Sequence, residues 1–436
     1  MDVPPPTNER TLPVLDMSGL LEGPVSRENE KVMAFVGSLD DAAKKHGFFY
    51  LVGHGLSEGE LEEPHLLARD LFRRPREDLE GIGMAKQPET FRGFQNLGDN
   101  VTLGKRDRHS ALDLWEEVET AEMEEGMKGE AVRFMKTGIV GKMKPFITGK
   151  NLWPSEDFKE RTEAYVEKVK KVGMLLMSAT ALCFGLPPET FDKSLDPRGF
   201  WGLRFIHYPP RGAGGAANGI SRGQPATRES ASSSMQLRGS EGAEGGVKGE
   251  KETGGAGASG DKAGGEGGDG EEFGHGVGAH TDYGFLTLVN QDDTPGALEV
   301  FLDPSNEGRG HSGTEGERKG GRWLPVDPLK GALVVNIGDM LAVLTNLRWK
   351  STLHRVDNKT GRERTSIPFF CEPNVFTVVK PIVTEGGAGD GGGGPIDSEA
   401  CTFNLAGGVK VPVSEGIVYG EWVCSKVAGN FDFGGM

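Results

Sequence analysis

The stretch GAHTDYGFLTL, Gly278–Leu288, places His280 and Asp282 at the mouth of an apolar, β-branched run. Neither residue favours a strand. Side chains two apart on a strand point to the same face, so this pair can reach one ion together. A third ligand must come from another strand, and the other histidines are weighed by their surroundings. His46, His54, His65 and His109 lie in the N-terminal region, while His275 and His311 border or occupy low-complexity sequence. His354, in the strand-like run KSTLHRVDN about seventy residues downstream, is the best candidate. An HxD pair alone is weak evidence for metal, because a single strand histidine is usually an ordinary core or surface residue.

Working outward, the segments around this stretch are rich in short strands: LRFIHYPP (203–210), FLTLVNQD (285–292), LEVFLD (298–303), ALVVNIG (332–338), STLHRV (351–356) and SIPFFCEP (366–373). Strands of this length broken by Gly, Asp and Asn turns suggest an all-β sandwich or jelly roll. Upstream, residues 12–120 read as mixed α and β. LPVLDMSGL begins with a short strand, Val32, Phe35, Val36, Leu39 and Ala43 follow helical spacing up to Gly47, and FFYLVGH (48–54) is a buried strand. Ser57 and Glu60 fit a capping box for a second helix that Pro64 should kink or shorten. Tyr165, Val169, Val172, Leu176, Ala179 and Cys183 mark one face of a long supporting helix over 156–184, within a helical region spanning 121–200. Its aromatic and methionine residues read as core packing.

Three stretches interrupt the β-rich region of 201–430. Residues 211–272, 304–321 and 385–395 are dominated by Gly and small or charged residues, and too few apolar groups are present to offset the entropy of ordering them. They are expected to be disordered insertions on strand connections. The first lies between the Tyr208 and His280 strands and could serve as a lid, but a segment so poor in apolar residues has little to dock with.

The 68 glycines are about twice the usual share. A net charge of −16 without a Lys/Arg face argues against nucleic-acid binding. Four widely spaced cysteines signal neither a disulfide framework nor a structural zinc site, and fit a reducing compartment. MDVPPPTNER lacks the pattern of a secretion signal, and no run of about 18 apolar residues offers a membrane span. The expectation is a soluble, cytoplasmic protein, monomeric, with neither nucleic-acid nor membrane partners.

Two imidazoles and a carboxylate on one triangular face of an octahedron leave three positions open, the facial triad of non-haem Fe(II) oxygenases. A structural zinc site would instead be closed by four ligands. HTDYGFLTLVNQD, LVVNIGDML, KSTLHRV and GRERTSIPFF, in this order, closely resemble the 2-oxoglutarate and Fe(II)-dependent oxygenase superfamily in its isopenicillin N synthase-like branch. The resemblance extends to LPVLDMSGL, KKHGFFYLVGHGL, FRGFQNLGDNV, LRFIHYPP and YGEWVCSKV, leaving only the low-complexity insertions outside it. It implies an α+β fold: a double-stranded β-helix (jelly-roll, cupin-like) core with supporting helices and an N-terminal mixed α/β region.

The resemblance also implies iron ligands His280, Asp282 and His354, and a 2-oxoglutarate site at Arg364 and Ser366. A guanidinium pairs bidentately with a carboxylate, and a hydroxyl two residues away on the same face can donate to it. Tyr208 matches a family tyrosine that often contacts the co-substrate, although a strand tyrosine is as often a packing residue. Asn336 and Asp339 match a turn and read as structural, satisfying their own backbone. Phe285, Leu288 and Phe370 are candidates to line the substrate cavity or to belong to the core. The implied activity is oxidation, most simply hydroxylation, of a small molecule by O2, with 2-oxoglutarate converted to succinate and CO2 and ascorbate as a candidate reductant. Two rival readings are an iron-dependent oxidase of the same fold that does not use 2-oxoglutarate, and a non-catalytic cupin-like binding module. The substrate itself is not legible at this level.

Overall fold

The computed structural model describes residues 11–102, 104–128, 140–195, 199–210, 236–237, 273–302, 321–382, 401–404 and 410–427. The insertions expected at 211–272, 304–321 and 385–395, and the lid reading of the first, lie almost wholly outside these residues.

Two sheets face each other. The larger has eight strands, ordered edge to edge Val14–Asp16, Phe48–Val52, Leu333–Ile337, Leu286–Gln291, Arg364–Cys371, Trp201–Tyr208, Ser110–Trp115 and Gly93–Gln95. The smaller has four, ordered Arg322–Pro325, Leu298–Leu302, His354–Val356 and Val277–His280. Strands of the N-terminal region extend the larger sheet at both edges, so the sheet is continuous across residue 120. This is the jelly-roll core with its supporting helices.

Period-two alternation explains the two sides of the larger sheet. Leu203, Phe205, Leu286, Leu288, Ile367 and Phe369 pack outward with the long helix Glu156–Cys183 in one large core. Ile206, Tyr208, Val334, Val300 and Val356 form a second cluster between the sheets. The inner cluster surrounds the site described below.

The helices begin and end largely where their sequence dictates. Glu30–Lys45 is capped by the Asn29 side chain and is followed by Gly47 at φ 66°. Glycine is required there, since a Cβ would lie 2.1 Å from the Lys350 carbonyl oxygen. Ser57 and Glu60 form the full capping box of Glu58–Phe72. That helix nevertheless runs through Pro64 to Phe72, correcting the expectation that Pro64 shortens it. Proline removes one intrahelical bond, but buried Leu61, His65, Leu67, Ala68 and Leu71 hold the helix against the sheet on both sides of it. Exchanging Ser57 for alanine should cost about 1 kcal/mol, measurable as a lower urea midpoint with an unchanged slope. No helix among the described residues is long and apolar enough to cross a membrane.

Candidate metal and co-substrate site

His280 ends its strand in direct register with His354 on the neighbouring antiparallel strand. Their ring centroids lie 4.3 Å apart. Asp282, two residues on, turns its Oδ1 toward both, 3.6 Å from His280 Nε2 and 3.7 Å from His354 Nε2. The three ligand atoms fall within 4.8 Å of one another, the spacing of groups that could share a metal ion. The seventy-residue separation in sequence is thus closed by one strand pairing.

Hydrogen bonds orient each of these groups. His280 Nδ1 donates to the Gly278 carbonyl at 2.8 Å and His354 Nδ1 to the Thr352 carbonyl at 3.0 Å. With the proton on Nδ1, Nε2 keeps its lone pair for a metal, the arrangement found at most metal-bound histidines. Asp282 Oδ2 accepts from Thr287 Oγ1 at 2.5 Å and from Asn336 Nδ2 at 2.7 Å, which leaves Oδ1 to face the two imidazoles. Burial alone would raise the Asp282 pKa, but the two imidazoles and these two donors hold it below the ordinary carboxylate value. Burial, followed by the neighbouring His354, lowers that of His280.

The expectation that Asn336 is a turn residue satisfying its own backbone is corrected: it lies within the strand Leu333–Ile337 and donates to Asp282. A buried amide in the apolar run LVVNI must find a distant acceptor, a signal present in the sequence. Asp339 likewise accepts from Ser351 and Thr281 side chains, while its backbone N–H donates to the Asp282 carbonyl.

Arg364 opens the strand Arg364–Cys371 opposite Tyr208 and is 1% exposed. Its guanidinium carbon lies 4.8 Å from the Tyr208 ring centroid, and Nη2 makes a long 3.5 Å bond to Gln291. Nε and Nη1 have no hydrogen-bond partner among the described residues. Ser366 Oγ, on the same strand face, reaches Tyr208 Oη at 3.5 Å. The sheet therefore brings Arg364, Ser366 and Tyr208 together.

The three apolar candidates separate. Leu288 faces the helices in the outer core, and Phe285 is buried in that same core. Phe370 alternates with helix-facing Phe369 and Cys371, placing it on the inner face with Arg364 and Ser366, partly exposed.

Comparison with known proteins agrees with this geometry. Residues 268–373 match the 2OG-Fe(II) oxygenase superfamily, and residues 12–156 match the family described as non-haem dioxygenase in morphine synthesis N-terminal. An Arabidopsis thaliana protein named homoarginine-6-hydroxylase 2-ODD-C23.1 is 31% identical over 98% of this chain and 99% of its own length. A rice protein, Oryza sativa subsp. japonica homoarginine-6-hydroxylase 2-ODD-233, is 29% identical over 97% of this chain and 98% of its own. The full-length Neurospora crassa T7H, crystallised with alpha-KG and 5-formyluracil, superposes with a TM-score of 0.60 at 20% identity, covering 99% of this chain and 100% of that one. At that identity the likeness speaks for the fold alone. The chain belongs to the 2OG-Fe(II) oxygenase superfamily and is an Fe(II)- and 2-oxoglutarate-dependent dioxygenase, an oxidoreductase that oxidises a small organic substrate, most simply by hydroxylation, with release of succinate and CO2.

Proposed function

We propose that His280, Asp282 and His354 hold the iron, that Arg364 with Ser366 and Tyr208 holds the distal carboxylate of 2-oxoglutarate, and that the substrate is homoarginine or a basic amino acid of that size. The observation that carries the co-substrate reading is the Arg364 guanidinium, buried with two nitrogens lacking partners. A charge left so is costly, and a carboxylate is its planar, bidentate complement. The homoarginine reading draws support from four relatives bearing the name homoarginine-6-hydroxylase, two of them aligned over nearly their whole length.

Bound iron supplies the oxidising chemistry, coupling O2 reduction to decarboxylation of 2-oxoglutarate. The chain's own residues orient and enclose. Backbone carbonyls of Gly278 and Thr352 fix the tautomers of the two histidines. Thr287 and Asn336 hold the Asp282 carboxylate in one rotamer. Ile206, Val300 and Val334 form an apolar wall between the sheets that limits water. Phe370 is the apolar residue proposed to line the substrate's side of the site. The wider reading is a monomeric, cytoplasmic enzyme without nucleic-acid or membrane partners, of which the net charge of −16 supports the lack of a nucleic-acid partner.

The test is oxygen-dependent succinate release by iron-reconstituted protein, with homoarginine set against a panel of small metabolites. Stimulation by another compound and not by homoarginine would remove the substrate reading, and absence of any 2-oxoglutarate turnover would remove the site reading as well. Asn336→Leu, which leaves Asp282 one donor short, should weaken iron binding by roughly 10- to 100-fold, read by metal titration of the apoprotein.

A further inference from the structure

Two buried groups of opposite charge on the inner face are used neither by the proposed iron site nor by the Arg364 pocket. Arg204 alternates with helix-facing Leu203 and Phe205, which puts it on the same side of its strand as Ile206 and Tyr208. Its Nε donates to Asp113 Oδ1 at 2.7 Å, and Asp113 is itself held by Gln95. Nη2 is out of contact with solvent and lacks a partner among the described residues. Glu372, 4% exposed, follows the strand of Arg364, Ser366 and Phe370 on the same face, and its backbone N–H continues the ladder to the Phe200 carbonyl. Its Oε2 has no hydrogen-bond partner among the described residues, although the Tyr419 hydroxyl lies beside the carboxyl. Oε2 lies over Gly284, where a Cβ would come within 1.3 Å of it, and Gly284 follows Asp282 by two residues. Burial pushes the Glu372 pKa up to about 8, with Asp282 adding to the rise. A cationic partner beside Glu372 would favour its charged form.

The register Ser366↔Ile206 and Phe370↔Gly202 sets Arg204 opposite Pro368, four positions before Glu372. At about 3.3 Å per residue that is roughly 13 Å along the ladder. This is a spacing of backbone positions, long enough for an extended basic amino acid whose carboxylate and terminal cation are separated by five carbons to lie between the two side chains. Hydroxylation at carbon 6 of homoarginine takes place on the carbon carrying the guanidino nitrogen, so the cation must lie near the metal ligands. Glu372 beside Gly284 meets that demand, and Arg204 lies farther toward Arg364.

We propose that Arg204 and Glu372 select a basic amino acid by both its ends, Arg204 receiving the carboxylate and Glu372 the terminal cation. This rests on the site reading above and narrows its substrate class.

The experiment measures binding without turnover, using protein loaded with Mn(II) and the 2-oxoglutarate analogue N-oxalylglycine. Homoarginine is titrated beside homocitrulline, its uncharged isostere, and beside homoarginine amide, which lacks the carboxylate. Wild type should prefer homoarginine to each by at least tenfold. Glu372→Gln should erase most of the preference over homocitrulline while keeping that over the amide, and Arg204→Gln should do the reverse. A merely structural role would weaken all three ligands alike and leave the ratios intact, which overturns the proposal. So does a wild type indifferent to either charge. If lysine binds with this charge dependence and homoarginine does not, homoarginine falls as the substrate and the inference stands. If N-oxalylglycine binds but no basic amino acid does, the inference fails together with the substrate reading while the metal and co-substrate reading stands; if neither binds, the site reading fails and takes the inference with it.

Discussion

Purified Asp282→Ala protein is expected to retain no stoichiometric iron and to release succinate at background level. The effect should exceed the roughly 10- to 100-fold lost when only a group orienting a ligand is changed. Asp282 is the one carboxylate of the three: its Oδ1 faces both imidazoles, while its Oδ2 ties the loop to Thr287 and Asn336. Alanine removes the anionic ligand, leaves two neutral imidazoles 4.3 Å apart, and strands two buried donors. Asp282→Asn separates these effects. It is nearly isosteric and can still accept from Thr287, but it removes the charge that an Fe(II) site needs. Iron analysis of the three proteins, with circular dichroism to confirm folding, decides the matter. Iron content equal to wild type in Asp282→Ala would remove the metal assignment, and with it the proposed role of His280 and His354.

The metal-binding group was legible because its parts carry local signatures. An HxD pair interrupts a β-branched run, and a second histidine recurs in a strand-like context. The antiparallel pairing that joins them is non-local, yet any jelly roll would supply some such pairing. Asn336 signalled only that its amide needs a distant acceptor, not which one, and Arg204 and Glu372 had no comparable signature. Each is a single polar residue in or beside an apolar strand, and its meaning depends on which strand lies opposite and in what register, information that a one-residue slip would invert. Asn336 is misleading for a further reason: NIGD has turn composition, but the turn begins two residues later, with Gly338 preceding the short helix Asp339–Leu344. Pro64 shows the opposite failure. Its local rule was sound, and tertiary packing overrode it.

For Arg364→Ala, the apparent requirement for 2-oxoglutarate should rise by roughly 30-fold or more, since losing one partner of a buried, hydrogen-bonded charge pair costs about 2–5 kcal/mol. Iron binding should be largely kept, because Arg364 makes no contact with the three ligand side chains. Arg364→Lys should recover only part of the loss: ammonium is a point charge and cannot reproduce the planar fork that meets a carboxylate on two bonds. Stability gives an independent check. A structural arginine is satisfied by its own protein, and truncating it destabilises the fold. Arg364 is 1% exposed, with Nε and Nη1 unpartnered and only a long bond to Gln291 and the face of Tyr208 for company. Without co-substrate it carries a desolvation cost that little in the chain offsets. The ligand-free alanine variant should therefore melt no lower than wild type, whereas added 2-oxoglutarate should stabilise wild type and leave the variant unmoved, since only a bound ligand shifts the folded state by mass action. A variant that melts markedly lower in the absence of 2-oxoglutarate, yet is still stabilised by it as strongly as wild type, would make Arg364 a framework residue and place the co-substrate elsewhere.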